Sequence, residues 1–382
     1  MTISKDKNNP LLALQRLGQS IWLDYLGRGA ITSGQLRQLI ENDGLSGVTS
    51  NPSIFEKAIT ETHDYDDAID ALVSKGKSAA EIYQALTVED IQQTADLFRP
   101  VYDCLDGRDG FVSLEVSPHL AHDTDGSIAE ARRLWSAVNR ANILIKVPAT
   151  RAGLPAIQQL ISEGINVNIT LLFGLQRYRL VAEAYLAGLE ARARQGKPLK
   201  HVASVASFFL SRIDVLVDPM LETIAQARGA KVDLVTRLHG QVAIASARVA
   251  RQIYREIFLS ERFQKLVNQG ARSQRLLWAS TSTKNPAYPD LKYVEPLIGP
   301  ETINTLPLET LGAYRDHGEP EARLDQDGEQ ARGALQQLPE LGINIDQVTQ
   351  QLEDEGVEKF NRAFDKLINA LSEKSVLPLT SP

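Results

Sequence analysis

The chain has a single cysteine, Cys104, in 382 residues. One thiol can close no internal disulfide and build no cysteine-based metal site, which fits a reducing compartment. Long apolar runs are missing too. Nowhere do eighteen consecutive apolar residues occur, and the opening MTISKDKNNP is polar, without the apolar centre of a signal peptide. No membrane partner is expected, and the sequence reads as cytoplasmic. A long basic run is also absent: Lys plus Arg number 41 against 48 Asp plus Glu, a net charge of −7, so nucleic acid is not an expected partner. Neither the phosphate-loop pattern GxxxxGK with Ser or Thr next, nor GxGxxG after a strand, occurs, and nucleotide-binding folds lose ground. The six histidines are scattered save for His119 and His122 in SPHLAHD; without a third ligand they read as loop residues and no metal is expected.

What is present is an ordinary globular composition, 43% hydrophobic and 23% charged, enough for a large core. The length suits two or three average domains or one large α/β barrel with additions. Strand-like runs recur at IWLDYL near residue 20, LSGVTSN (45–51), FVSLEVS (111–117), ILIKVPA (143–149), INVNITLL (165–172), HVASVASF (201–208), LLWASTST (276–283) and TINTLPL (302–308). Helical patterns separate them: TVEDIQQTADLFRPVYD, LPAIQQLI before Gly164, LQRYRLVAEAYLAGLEARA and GQVAIASARVARQIYREIF. In the first of these, Thr87 with Asp90 resembles a capping box, and Ile91, Ala95, Phe98 and Tyr102 form one apolar stripe. Eight strands alternating with helices predict parallel strands and a closed TIM (β/α)8 barrel.

Stretches of about sixty residues, from Asn51 to Phe111 and from Arg212 to Leu276, hold helices of their own and read as insertions within a single domain over 1–382. The segment 319–334 is polar and expected to be exposed. A C-terminal helical region, 343–374, with Phe360, Phe364, Leu367, Ile368 and Leu371 at helical spacing, is expected to pack on the barrel.

Alternation carries a second message. Ser113, Glu115 and Ser117 oppose Val112, Leu114 and Val116; Asn166, Asn168 and Thr170 oppose Ile165, Val167, Ile169 and Leu171; Ser280, Ser282 and Lys284 share a face opposite Leu277 and Ala279. Successive strand side chains point to opposite sides. With helices on the outside, the polar faces are expected to look into the barrel. An antiparallel sandwich with a solvated face would show the same alternation, but the intervening helices speak against it.

Inside this frame Lys146 is conspicuous, placed in NILIKVPAT where its ammonium should lose water. An ordinary lysine, pKa about 10.4, is neutral in roughly one molecule in 2,500 at pH 7, whereas burial that lowers a lysine by about three units leaves about a quarter of molecules neutral. A neutral amine can condense with a carbonyl to a Schiff base. The alternative is a structural lysine paired with Glu115. Glu115, mid-strand between Leu114 and Val116, could shuttle protons while the carbinolamine loses water, with Thr170 holding that water. Asp24, in SIWLDYL, is the candidate base for a hydroxyl proton when a carbon–carbon bond breaks; a cap or an ion pair is the alternative for each acid.

GVTSNPS, SLEVSP, ILIKVPAT, INVNITLLF, SVASFFLSRID and STSTKN, in this order, resemble the transaldolase family from about Gln19 to Leu371. The resemblance implies a class I aldolase on an eight-stranded barrel, with Lys146 on the fourth strand as nucleophile, Glu115 and Thr170 acting through a water, and Asp24 as acid/base at the sugar C4 hydroxyl. It further implies that Asn51, Asn168 and Ser207 hold the dihydroxyacetone part, with Thr49 nearby, and that Arg212, helped by Ser282, binds phosphate. Substrates would be sugar phosphates, and no metal or organic cofactor is implied because the imine is itself the electron sink. One departure stands out: Lys284 occupies the place of an arginine in many members, keeping the charge but losing the bidentate fork.

Fructose 6-phosphate aldolase, which releases free dihydroxyacetone, is the alternative within this superfamily. Those shorter relatives tend to carry glutamine where Glu115 stands and tyrosine where Phe209 stands, and an apolar Phe209 would leave water poorly placed to hydrolyse the enamine. A metabolite-binding protein without turnover is a further alternative, opposed by the presence of every expected catalytic side chain. The sequence leaves monomer and homodimer open.

Overall fold

Strand runs rich in Val, Ile and Leu and buried on both faces favour a parallel sheet covered by helices, and the computed structural model closes that sheet on itself. It describes residues 9–227 and 231–376; most of the polar opening segment lies outside them. The strands are β1 Gln19–Leu23, β2 Gly47–Val48, β3 Phe111–Glu115, β4 Ile143–Pro148, β5 Val167–Leu172, β6 Ser204–Phe209, β7 Arg275–Ala279 and β8 Thr302–Leu306. They form a closed barrel in sequence order, with β1 also paired in parallel to β8. The expected (β/α)8 barrel is therefore the fold. Among the described residues no helix is long and apolar enough to cross a membrane.

Contacts that skip a strand reveal which side chains point inward. Arg275 of β7 donates to Ser20 Oγ of β1 at 2.8 Å, across β8, and lies 3.4 Å from Asp109, whose other oxygen accepts from Trp22 Nε1 at 2.7 Å. These buried groups plug the N-terminal end of the barrel. Gly47 is required beside them, because a Cβ there would stand 2.5 Å from the Trp22 indole. With that end filled, a substrate can reach the interior only from the C-terminal end of the strands, where barrels of this kind place their loops.

The same geometry corrects part of the alternation. Arg275 points inward, so Leu277 and Ala279 do too, and the register sets them beside Ser207 and Phe209. β7 ends at Ala279, and Ser280 adopts φ +55, a left-handed turn that breaks the alternating face expected to carry Ser280, Ser282 and Lys284. β3 likewise stops at Glu115, leaving Ser117 beyond it. Asn166 precedes β5 and ties neighbouring backbones together, donating to Ile143 O at 3.1 Å and accepting from Ala203 N at 2.8 Å. A register shift between Ile169 and Leu172, with Leu171 at φ +52, bends the top of β5.

Thr87 and Asp90 do not cap a helix. The helix runs Ala79–Cys104 and starts at a capping box of Ser78 and Glu81; Thr87 lies inside it, its hydroxyl donating to Tyr83 O at 2.9 Å. The stripe Ile91, Ala95, Phe98 and Tyr102 is buried as its spacing predicts. The segment 319–334 is largely exposed, yet Leu324 and Ala331 are buried, and a helix begins at Gly328.

The expected C-terminal helix is one continuous element, Ile345–Val376. It contacts the helix Pro52–Thr60, the turn Pro118–Leu120, β5 and the helix Ser211–Gln226. All four regions belong to the C-terminal ends of strands, so the terminal helix lies across the open mouth. Phe360, Leu367 and Leu371 are buried, while ion pairs strap the polar side: Arg177 to Glu353 at 3.3 Å, Lys366 to Glu56 at 2.6 Å and Lys374 to Asp66 at 2.7 Å. His119 belongs to this strapping, with Nε2 2.7 Å from Asp365 and its ring edge-on to Phe364.

Candidate active site

Register sets Glu115 beside Lys146 and Lys146 beside Asn168, so three adjacent strands project these side chains into the barrel at one level. Lys146 is 4% exposed and Glu115 6%. Lys146 Nζ donates to the Ser50 carbonyl at 2.9 Å and stands 3.2 Å from Glu115 Oε2. The ion pair raised as the alternative reading of the lysine is thus present. It is a close approach of charges and not an aligned hydrogen bond, since neither Glu115 oxygen has a hydrogen-bond partner among the described residues. Burial pushes the Glu115 carboxyl above its ordinary value, and the Lys146 ammonium opposes that shift. Thr170, one step further up β5 and opposite Pro148, is fully buried with its hydroxyl unpartnered among the described residues.

Unpaired buried polar groups cost roughly 1–3 kcal/mol each, so Glu115 and Thr170, unpaired on successive levels of the barrel, indicate a purpose other than stability. Two unpaired carboxylate oxygens and an unpaired hydroxyl can hold a water between them. The Lys146 amine stands beside that carboxylate.

Asp24 follows directly on β1, and its backbone N–H donates to Leu306 O at 2.8 Å. Its side chain keeps some exposure towards the mouth although protein surrounds it. Burial raises its carboxyl above the usual range, against Lys146, the Thr49 hydrogen bond, Arg212 and Lys284, which pull it down. Thr49 Oγ1 donates to Asp24 Oδ1 at 2.8 Å and lies 2.7 Å from Thr305 Oγ1 across β1. In this structure Thr49 therefore orients the acid.

Asn168 bridges the interior. Its Nδ2 donates to Ser113 Oγ at 3.0 Å and its Oδ1 accepts from Ser207 Oγ at 2.7 Å, which fixes the orientation of the amide. Asn51 stands apart from that network: Oδ1 caps the helix Pro52–Thr60 by accepting from Ile54 N at 3.0 Å, a role available to Asn in any N-cap.

Arg212 is the second residue of the helix Ser211–Gln226, and its guanidinium lies 5.4 Å from the Phe209 ring centre. Phe209 in turn packs against Phe173 at 5.1 Å, giving the upper barrel an apolar wall. The turn carrying Arg212 is joined to the end of β7: Leu210 N donates to Ala279 O at 3.0 Å, and Ser211 and Ser280 hydroxyls meet at 3.0 Å. Four residues beyond Ser280, Lys284 Nζ donates to Ser282 Oγ at 2.6 Å. Arg212 from the start of a helix and Ser282 and Lys284 from the loop after β7 thus gather at the mouth, where Arg212 and Lys284 both act on Asp24.

Buried acids in the helix Ser211–Gln226 hold the loop behind Lys284. Tyr293 donates to Asp214 Oδ2 at 2.9 Å and Tyr288 to Asp218 Oδ2 at 2.7 Å. Burial pushes Asp214 up to about 6. A carboxyl raised on folding contributes stability that is complete below about pH 4 and lost as pH rises through about 6, a change of about 3 kcal/mol. Asp214→Asn keeps an acceptor and removes the charge. Its unfolding temperature should exceed that of the parent at pH 8 by more than at pH 5, and equal differences at both pH values would contradict the assignment.

Ser50 and Thr305, which hold Lys146 and Thr49, were not singled out from the sequence. Ser50 contributes a backbone carbonyl, which leaves no mark in a sequence, and Thr305 sits in a strand whose alternation gave no hint of its partner.

The family model for transaldolase/fructose-6-phosphate aldolase matches residues 21–371. The chain is 48% identical to a transaldolase of Trichodesmium erythraeum over 373 residues, 96% of this chain and 97% of that protein. It is 47% identical to transaldolase 2 of a Nostoc species, covering 98% of this chain and 99% of that one. A transaldolase of Saccharopolyspora erythraea is 45% identical over 96% of this chain and 98% of its own length.

Proposed function

Because the chain belongs to the transaldolase/fructose-6-phosphate aldolase family, we propose that Lys146 is the amine that carries a dihydroxyacetone unit from one sugar phosphate to another. The function is that of a transaldolase, a transferase of the pentose phosphate pathway: the full-length relatives at 45–48% identity bear that name, and it displaces the aldolase alternative. Donors are sedoheptulose 7-phosphate or fructose 6-phosphate, and acceptors are glyceraldehyde 3-phosphate or erythrose 4-phosphate. The whole chain acts as one domain in this reading, and the lone Cys104 supports a cytoplasmic setting.

Lys146 Nζ attacks the ketose C2 and forms a carbinolamine. Glu115, held protonated more readily than an ordinary carboxyl by its burial, works with Thr170 through a water to move the proton that lets hydroxide leave as water. The resulting imine accepts electrons. Asp24, oriented by Thr49, takes the C4 hydroxyl proton; the C3–C4 bond breaks, its electron pair moves to the imine, and the aldose phosphate departs. The enamine then attacks the aldehyde carbon of the acceptor, Asp24 returns the proton to the new hydroxyl, and hydrolysis frees Lys146.

Asn51, Asn168 and Ser207 hold the three-carbon unit, with the Asn168 amide already oriented by Ser113 and Ser207. Arg212 with Ser282 and Lys284 takes the phosphate. In a chain of net charge −7, local cations must capture dianionic substrates. Arg212→Ala should raise KM for both phosphorylated sugars by roughly ten- to a hundred-fold, the value of a charge-assisted hydrogen bond. Steady-state kinetics that leave KM unchanged would refute this role.

The observation that carries the mechanism is a buried amine 3.2 Å from a buried, otherwise unpartnered carboxylate inside a barrel open at one end. Borohydride reduction in the presence of fructose 6-phosphate, followed by peptide mapping, tests it. The label should fall on Lys146; activity that persists while Lys146 stays unlabelled would sink it.

A further inference from the structure

Lys359, on the terminal helix, was not singled out from its sequence, and the structure places it by the phosphate end of the site. Gly356, three residues earlier and so on the same helical face, is where the terminal helix meets the barrel. A Cβ at Gly356 would stand 2.9 Å from Leu171 Cδ2 and 3.7 Å from Arg212 Nη1. The face that includes Lys359 therefore abuts the Arg212 guanidinium. Ion pairing sharpens the contrast within this one helix. Lys366 pairs with Glu56 at 2.6 Å and Lys374 with Asp66 at 2.7 Å, whereas Lys359, Arg212 and Lys284 have no ion pair among the described residues.

Carboxylates are at hand. Asp24 and Glu355 both act on Arg212 without closing onto it, and Glu355 instead accepts from Gln351 at 2.7 Å. Lysines and arginines without partners repel one another, and gathering them costs free energy unless an anion comes between them. That repulsion adds to a partial loss of water around the otherwise exposed Lys359, whose ammonium is held below its ordinary pKa by this desolvation first and then by Arg212, Lys284 and Lys57.

We propose that Lys359 is a further phosphate-binding residue, delivered by the terminal helix to the anion cradle that Arg212, Ser282 and Lys284 begin. This rests on the reading of that cradle as the phosphate site. It also accounts for the departure at position 284, because a lysine there supplies one point charge where an arginine would supply a fork, and a lysine from above restores a second direction of contact. The terminal helix then has a chemical role as well as a packing one: it roofs the phosphate end of the mouth.

The test compares the full-length protein with Lys359→Ala and Lys359→Arg. Lys359→Ala should raise KM for fructose 6-phosphate and erythrose 4-phosphate by about three- to ten-fold, a modest factor because Lys359 is exposed. The inhibition constant of inorganic phosphate should rise by the same factor, kcat should change far less, and KM for unphosphorylated D-erythrose as acceptor should hold. Lys359→Arg should recover most of the loss. Unchanged constants for phosphorylated sugars and for inorganic phosphate, or equal shifts for phosphorylated and unphosphorylated acceptors, overturn the proposal. Borohydride trapping with fructose 6-phosphate separates it from the mechanism. Arg212→Ala, run beside it, separates it from the cradle: a raised KM in Arg212→Ala with wild-type kinetics in Lys359→Ala removes only Lys359, whereas an unchanged KM in both removes the cradle, and no trap on Lys146 removes the mechanism.

Discussion

Lys146→Ala is expected to lose transfer activity by about 10^4-fold or more, the scale on which removal of a covalent nucleophile is felt. The amine is at once nucleophile and, as imine, electron sink, so no neighbouring group can stand in for it. Lys146→Arg should be equally inactive. Arginine keeps a positive charge against Glu115, and its guanidinium stays protonated and cannot condense with a ketone. The pair of variants therefore separates electrostatics from covalency. If Lys146→Arg retained a tenth of the activity, the barrel interior would need only a cation and the Schiff base would be unnecessary. Stability is not the confounding factor that it is for many buried pairs. Stripping one partner from a buried ion pair leaves an uncompensated charge, but the Glu115 carboxyl, already raised by burial, can take up a proton when the lysine is gone. Thermal unfolding of both variants, measured beside the assay, checks that the fold is kept.

Asp24→Asn should lower kcat by about 10^2- to 10^4-fold, the range for a positioned general base, while leaving the Schiff base able to form. Asparagine keeps an oxygen to accept the Thr49 hydrogen bond, so the orienting chain from Thr305 through Thr49 survives and only basicity is removed. The borohydride adduct reads out which step has failed. With fructose 6-phosphate the parent enzyme should yield both a reduced six-carbon phosphate adduct on Lys146 and the reduced three-carbon unit left after cleavage. The Asp24→Asn enzyme should yield the six-carbon adduct almost alone. A three-carbon adduct formed by Asp24→Asn at the rate of the parent would move the C4 proton to another group. Because burial raises the Asp24 carboxyl, activity in the parent should fall on the acid side at a pH above that of an ordinary aspartate.

Much of this site could be read from residue order. A lysine inside Ile-Leu-Ile and Val, and a glutamate between Leu and Val, stand out because strands buried on both faces seldom hold charge. Both positions project into the barrel, as their alternation implies. Asn168 followed from the same period and Ser207 from the family resemblance, and the structure adds that they bond to each other. The period failed where the backbone leaves the strand. The residues after Ala279 keep the period of two in sequence, but the left-handed turn at Ser280 ends the alternation in space, and Ser282 with Lys284 reaches the mouth by a loop instead. Thr87 and Asp90 form no capping box for a related reason: a helix already more than two turns long can hold a threonine by bonding its hydroxyl to the preceding turn.

By itself the sequence determined the number and order of strands, the helices between them, and the presence of an amine and acids in apolar surroundings. Those properties follow from side-chain chemistry and from periods of two and 3.6 residues, both of which are local. Tertiary structure alone decided that Arg275, Asp109 and Trp22 close one end of the barrel, that Thr49 aims Asp24, that a backbone carbonyl of Ser50 holds Lys146, and that the terminal helix sets Gly356 against Leu171 and Arg212. Each of these joins residues far apart in the chain through directed contacts a few ångströms long, and such contacts are settled by how the closed sheet and its covering helices pack, which no local period encodes.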